Sequence, residues 1–194
     1  MRIGVLALQG AFIEHVKMLR ELGVEAVEVR LPADLAGLDG LIIPGGESTT
    51  IGKLAVDYGL MAPLRQFAAR KPVWGTCAGM IFMAREIGQD QPLLGVMDIE
   101  VERNAFGRQV DSFETELDVA VFDNGDAAPF SAVFIRAPRL VAAKEDARVI
   151  ARLADGTAVA AQQGHLLVTS FHPELGNDPR FHRYFLQLVA AAEA

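Results

Sequence analysis

The chain has one cysteine, Cys77, in the stretch "PVWGTCAGM" (Pro72 to Met80), with Gly75 and Gly79 two residues away on either side. A thiol is a candidate nucleophile, but an ordinary one with a pKa of about 8.5 is only a few per cent ionised at neutral pH. Chemistry at Cys77 would therefore need a base, a group to orient that base, and donors for the oxyanion formed when a carbonyl is attacked. A lone cysteine is also a small buried hydrophobe in many proteins, so its company decides between the two readings. "TSFHPELG" offers the base and its partner in His172 and Glu174. Residues i and i+2 of an extended segment point the same way, and Pro173 between them discourages helix. Glu174 can then hold the His172 imidazole in one tautomer while the ring faces Cys77, a triad in the order Cys, His, Glu. The other histidines offer less. His15 and His182 sit in charged helical stretches, and His165 opens a strand after Gly164.

The oxyanion donors are expected in "IIPGGESTT". A strand ending in Pro44-Gly45-Gly46 leaves backbone N–H groups exposed, with Ser48 or Thr49 placed to cap the next helix. Gly46 and the Ala78 N–H together could form an oxyanion hole. The same stretch superficially resembles a phosphate-binding loop. However, five residues separate Gly46 from Gly52, and Leu54 stands where a Mg²⁺-binding hydroxyl is required. Nucleotide binding is not expected.

These groups need a scaffold that brings distant segments together. "RIGVLAL" is a nearly continuous apolar run, as in a strand buried on both faces. Phe12, Val16 and Leu19 recur at helical spacing, and Gly23 closes that helix. "EAVEVRL" and "GLIIPGG" read as strands, "TTIGKLAVDYGL" and "APLRQFAAR" as helices. The strand "PVWGT" then leads through Cys77 into "AGMIFMARE", predicted to be helix throughout. This alternation predicts parallel strands with helices on both faces. A strand-to-helix turn at Cys77 is the nucleophile elbow G-x-S-x-G with sulfur for oxygen, its glycines relieving backbone crowding. The helix N-terminus adds N–H groups and partial positive charge that favour thiolate.

After Gly95 the pattern changes. "DIEVERNAF", "FETELDVAVF", "SAVFIRA", "VIARLADGTAVAAQQ" and "HLLVTSF" are strand-like, with turns such as Asp155-Gly156. They are predicted to extend the sheet in antiparallel or mixed fashion. "DPRFHRYFLQLVAAAEA" reads as a terminal helix with Asp178 as N-cap and Pro179 first. The expected fold is α/β: a three-layer αβα sandwich with a mostly parallel, flavodoxin-like central sheet and antiparallel strands in the second half. A length of 194 residues favours a single domain over 1–194.

The bulk properties agree. With 51% hydrophobic and 22% charged residues, the chain is an ordinary globular protein. A net charge of −7 argues against nucleic acid or an anionic membrane as partner. No apolar run approaches the roughly 20 residues needed to span a bilayer. "MRIGVLALQG" is too short in its apolar part for a signal segment. A single cysteine makes no internal disulfide, and four scattered histidines make no metal-ligand spacing. A cytoplasmic enzyme without metal or other cofactor is expected.

Together "GTCAGM", "PGGEST" and "HPE" resemble the motifs of the triad-type (class I) glutamine amidotransferases, whose glutaminase domains hydrolyse glutamine through a cysteine thioester. Within that superfamily the chain resembles the glutaminase subunits of pyridoxal 5′-phosphate synthases. The resemblance rests on "GVLALQGAFIEH", "LIIPGGESTTIGKL", "WGTCAGMI", "ERNAFGRQVDSFE", "FIRAP" and "TSFHPEL", and runs over nearly the whole chain. It implies that Cys77 is the nucleophile, with His172 and Glu174 as its relay. It also implies that Gly46, Glu47, Ser48, Arg103, Ile135 and Arg136 contact L-glutamine. Physical chemistry agrees in part, since glutamine's α-carboxylate needs a cation and its α-ammonium needs acceptors. Arg103 and Arg136 are candidate cations, although both could equally be solvated strand-edge arginines. Glu47 could serve only its helix N-terminus.

The resemblance further implies a hetero-oligomeric complex in which ammonia passes to a synthase subunit that makes pyridoxal 5′-phosphate. A docking loop is expected at Gln9 and Gly10, on the same face as Cys77. There Gly10, Gly45 and Gly46 would permit backbone rearrangement. Two other readings stay open on the residues alone. One is a glutaminase subunit of another synthase, such as that of imidazole glycerol phosphate; the other is a cysteine hydrolase of similar fold.

Overall fold

Hydrophobic alternation along the first strand decides how the layers form. The structure is a computed structural model that describes residues 1–103, 112–122 and 128–192. In chain order its elements are β1 (Arg2–Leu6), α1 (Phe12–Glu21), β2 (Glu25–Val29), β3 (Gly40–Ile43), α2 (Ser48–Asp57), α3 (Met61–Ala68), β4 (Val73–Thr76) and α4 (Ala78–Met83). There follow β5 (Ala84–Glu86), β6 (Met97–Glu102), β7 (Ser112–Leu117), β8 (Phe130–Ile135), β9 (Arg139–Ala143), β10 (Arg148–Arg152), β11 (Ala158–Gln163), β12 (Leu166–Thr169) and α5 (Arg180–Ala192).

The main sheet runs β2-β1-β3-β4-β12-β11-β9-β6-β5, with β10 paired to β11. Its first five strands are parallel, in the doubly wound order that opens a crevice at the strands' carboxyl ends. Side chains alternate between two cores. Leu6, Leu41, Ile43, Val73 and Val168 pack with α2, α3 and α4 on one face. Ile3, Val5, Ile42, Trp74 and Leu167 pack with α1 and α5 on the other. The period of two in each strand thus builds the three layers. Pairing of β4 with β12 sets Thr76 opposite Thr169, so the strands end level. That shared edge puts the segments after β4 and after β12, which carry Cys77 and His172, side by side.

Four sequence expectations need correction. Helix does not continue through "AGMIFMARE": α4 stops at Met83, and Ala84–Glu86 pairs with β6. The Phe82 and Met83 carbonyls instead accept from the Leu94 and Val96 N–H groups, so a distant segment closes the helix. The strands β7 and β8 do not extend the main sheet but form their own two-stranded sheet. Phe130, Ala132 and Phe134 of β8 bury into the α1/α5 core. β9 was not anticipated, although it joins β11 to β6. Finally, Glu47 rather than Ser48 or Thr49 caps α2, its carboxylate accepting from the Thr49 and Thr50 N–H groups.

The Asp178 carboxylate accepts the Arg180 N–H at 3.0 Å, as its expected capping place requires. "NAFGRQV" and part of the stretch from Asp118 to Ala128 lie outside the described residues. Among the described residues no helix is long and apolar enough to cross a membrane.

Candidate active site

The turn from β4 into α4 holds Cys77 at φ 48° and ψ −105°. A non-glycine residue is rarely found there, so surrounding structure must enforce it. The Cys77 N–H donates to the Thr169 carbonyl at 2.8 Å, and its own carbonyl accepts from the Met80 N–H at 3.0 Å. The two flanking glycines are required by close approach. A Cβ on Gly75 would lie 2.6 Å from the Gly79 carbonyl oxygen, and one on Gly79 would strike the Ile43 carbonyl oxygen. The elbow therefore packs backbone against backbone, leaving the thiol at the top of α4.

His172 follows β12, and its N–H donates to the Val133 carbonyl of β8 at 2.8 Å. The separate hairpin thus anchors the imidazole's backbone. His172 Nδ1 lies 2.7 Å from Glu174 Oε1, with both residues buried. Burial opposes charge on this ring, yet hydrogen bonds to Cys77 and Glu174 and attraction to charge at both raise its pKa to about 10. Gly45 allows this contact, because a Cβ there would run into the His172 ring and lie 3.3 Å from Cys77 Cβ. Cys77 Sγ is 4.0 Å from the Ile135 carbonyl oxygen.

A cavity of about 420 Å³ opens over the thiol, lined by Gln9, Gly10, Gly46, Glu47, Ser48, Ala78, Arg103, Ile135, Arg136 and His172. The residues singled out from sequence therefore meet at one place, with Glu174 directly behind His172. Two details differ from the simplest expectation. Arg103 is not a bare cation: it donates to Glu47 Oε1 (3.0 Å), Thr49 Oγ1 (3.1 Å) and Gln91 Oε1 (2.8 Å). Glu47 is exposed, and the slight desolvation that would raise its pKa is outweighed by hydrogen bonds from Thr50 and Thr49, which lower it to about 2. Arg136 is exposed and holds a left-handed backbone, φ 42°, just beyond β8.

The Gln9–Gly10 loop is tied to the glycine turn. Gln9 Oε1 accepts the Glu47 N–H at 2.7 Å, and the Ala11 N–H donates to the Gly45 carbonyl at 3.0 Å. Gly10 sits at φ 99°, and a Cβ there would collide with that same carbonyl. Two hydrogen bonds and this close approach thus join the loop to the turn.

Two residues that sequence reasoning set aside lie under the site. His15 of α1 and His182 of α5 are fully buried, with His15 Nδ1 2.9 Å from His182 Nε2. His15 Nε2 is 3.4 Å from Glu174 Oε2 and 3.3 Å from Thr76 Oγ1. Helical spacing held the missed signal. His15 shares a face with Phe12 and Leu19, and His182 with Phe185 and Val189. His165 instead meets the Ala68 carbonyl at 2.8 Å, away from the site. Among the described residues no three His, Cys, Asp or Glu side chains come together as metal ligands.

Comparison with known proteins gives this geometry relatives. Residues 5–191 match the model of the SNO glutamine amidotransferase family. A protein of Herpetosiphon aurantiacus named pyridoxal 5′-phosphate synthase subunit PdxT is 58% identical over 193 residues, covering 97% of this chain and all of its own. One of the same name from Dehalococcoides mccartyi is 58% identical over 193 residues, covering 97% of each chain. A crystal structure titled as a glutamine amidotransferase superposes with a TM-score of 0.90 at 52% identity, covering 97% of this chain and 98% of its own.

Proposed function

The chain belongs to the SNO glutamine amidotransferase family, and from that premise we propose that it is the glutaminase subunit of a pyridoxal 5′-phosphate synthase. It hydrolyses L-glutamine to L-glutamate and ammonia, and the ammonia serves vitamin B6 biosynthesis. Similarity to subunits of that name over nearly the full length favours this reading over a glutaminase of another synthase.

The observation that carries the chemistry is the strained Cys77 facing a buried His172–Glu174 pair across one cavity. Cys77 attacks the side-chain amide carbon as thiolate, with His172 holding the proton. The tetrahedral oxyanion is met by the backbone N–H groups of Gly46 and Ala78. His172 then protonates the departing nitrogen, giving ammonia and a γ-glutamyl thioester. It next takes a proton from water, whose oxygen displaces sulfur to release glutamate. Glu174 holds the imidazole in one tautomer and stabilises its charge in both halves. For recognition, glutamine's α-carboxylate goes to Arg136 with the Ile135 backbone. Its α-ammonium goes to the side of Glu47 and Ser48, where a carboxylate that stays ionised is held in place by Arg103.

The synthase subunit docks through Gln9 and Gly10, forming a hetero-oligomeric complex. The tether from this loop to the Gly45–Gly46 turn is a direct mechanical path to the oxyanion donors. Ammonia release should therefore be weak in the isolated chain and rise when the synthase subunit is added. One misaimed donor costs about 10²–10³ in kcat, which sets the scale of the rise. Equal kcat with and without bound synthase would refute this coupling. Activity on peptides without glutamine turnover would favour a cysteine hydrolase instead.

A further inference from the structure

We infer that His15 is a positioning residue for the glutaminase reaction, donating its Nε2–H to the outer oxygen of Glu174, with His182 fixing the His15 tautomer from behind. This rests on the triad reading given above and extends it by two residues on two further helices.

Glu174 Oε2 is buried and has no hydrogen bond, although its twin Oε1 is engaged by His172. A buried carboxylate oxygen without a donor costs free energy, and the polar atom that faces it is His15 Nε2 at 3.4 Å. Catalytic contacts are often long in an empty site and tighten when charge develops. A donor here would therefore strengthen as the His172 imidazolium forms.

The tautomer follows from counting protons. Suppose His15 carried its proton on Nδ1. Its Nε2 lone pair would then face the carboxylate, and its N–H would go to His182 Nε2, 2.9 Å away. His182 would have to carry its own proton on Nδ1, a buried atom without a partner. The opposite arrangement puts His15 Nε2–H toward Glu174 and Thr76, and His182 Nε2–H toward His15 Nδ1. Only a lone pair on His182 Nδ1 is then left unsatisfied. An unpartnered buried N–H and a lone pair against a carboxylate are both avoided, so this second arrangement wins.

Both rings stay neutral. Burial holds His15 well below the usual histidine range, and repulsion from His182 and His172 lowers it further. Burial alone takes His182 to about 3. The wall responsible is aromatic: Trp74 meets both rings edge-on, at 5.6 Å and 4.9 Å between centroids. Neutrality is what the role needs. A cationic His15 would cancel the Glu174 charge that stabilises His172, whereas a neutral N–H fixes the carboxylate and leaves that charge in place.

A purely structural alternative is that the two histidines staple α1 to α5 and no more. Two measurements on the full chain with its synthase subunit separate these. His15→Leu removes the donor, whereas His15→Gln returns an amide N–H at the reach of Nε2. We expect His15→Leu to lower kcat about 10- to 100-fold, the usual loss when a partner that orients a functional side chain is removed. The KM for glutamine should stay within about twofold, and His15→Gln should recover most of the loss. Equal kcat in the two variants, whether high or low, overturns the proposal. The second measurement needs no variant: nitrogen-resolved NMR of histidine-labelled wild-type protein should find His15 protonated at Nε2. A proton on Nδ1 overturns the proposal even if His15→Leu does not fold. Cys77→Ala serves as the control, since turnover surviving there would break the triad reading rather than this extension alone.

Discussion

At the scale of single residues, the reading concentrates its chemistry on three side chains that act as one unit. Cys77→Ala or Cys77→Ser should nearly abolish ammonia release while leaving the fold intact, because the side-chain volume hardly changes and the nucleophile is lost. His172→Asn should cost as much as losing Cys77. Combining the two should cost little more, since members of a unit are strongly non-additive. Glu174→Gln should cost less, because it orients the ring and stabilises its charge without itself taking the proton. Steady-state kinetics of the single and double variants check this, and strictly additive losses would argue against a shared unit. These three residues were legible because each lies in a short motif whose spacing has one geometric meaning. His15 and His182 were not. Their sequence neighbours are charged, and only the helical face they share with Phe12 and Phe185 shows that they point inward.

At the scale of elements, the parallel half of the sheet could be read from sequence because its strands are continuous apolar runs buried on both faces. The short strands could not. Ala84–Glu86 is helix-favouring by composition and is extended only because β6 offers it a partner. Likewise β9 is defined by the strands on either side of it. Gly75 and Gly79 were expected to relieve backbone crowding at the elbow, and Gly10, Gly45 and Gly46 to permit rearrangement of the loops beside it. In the structure Gly75, Gly79 and Gly45 mainly allow close approach, and Gly10 is the one at a left-handed φ. Gly79→Ala should accordingly destabilise the elbow itself. The measured effect should be a lower urea midpoint together with lost activity. Glu47→Ala should cost about 1 kcal/mol by removing the α2 cap. It should also weaken glutamine binding by releasing Arg103, so urea denaturation and KM should move together.

At the scale of the whole molecule, α1 and α5 close over one face of the sheet and bury two neutral histidines there. Their folded pKa values lie below the unfolded value of about 6.5, so in acid the unfolded chain binds more protons than the folded one. Stability should then fall as the pH drops below about 6.5. The slope from two such groups is about 2 to 3 kcal/mol between pH 6 and pH 5, above the range where carboxylates titrate. His172 works in the opposite window. Its raised pKa contributes stability below about 6.5, which is lost as pH rises toward about 10. Urea midpoints across this range should show the acid-side fall, and His15→Gln should flatten it. The central claim, that glutamine is cleaved at Cys77 in the assembled synthase, has a direct test. The complex is treated with a glutamine analogue bearing an electrophilic ketone in place of the amide, and mass and ammonia release are followed together. The account predicts one adduct per chain, on Cys77, prevented by excess glutamine, with activity lost in step with labelling. Ammonia release that persists in the fully labelled complex would contradict it.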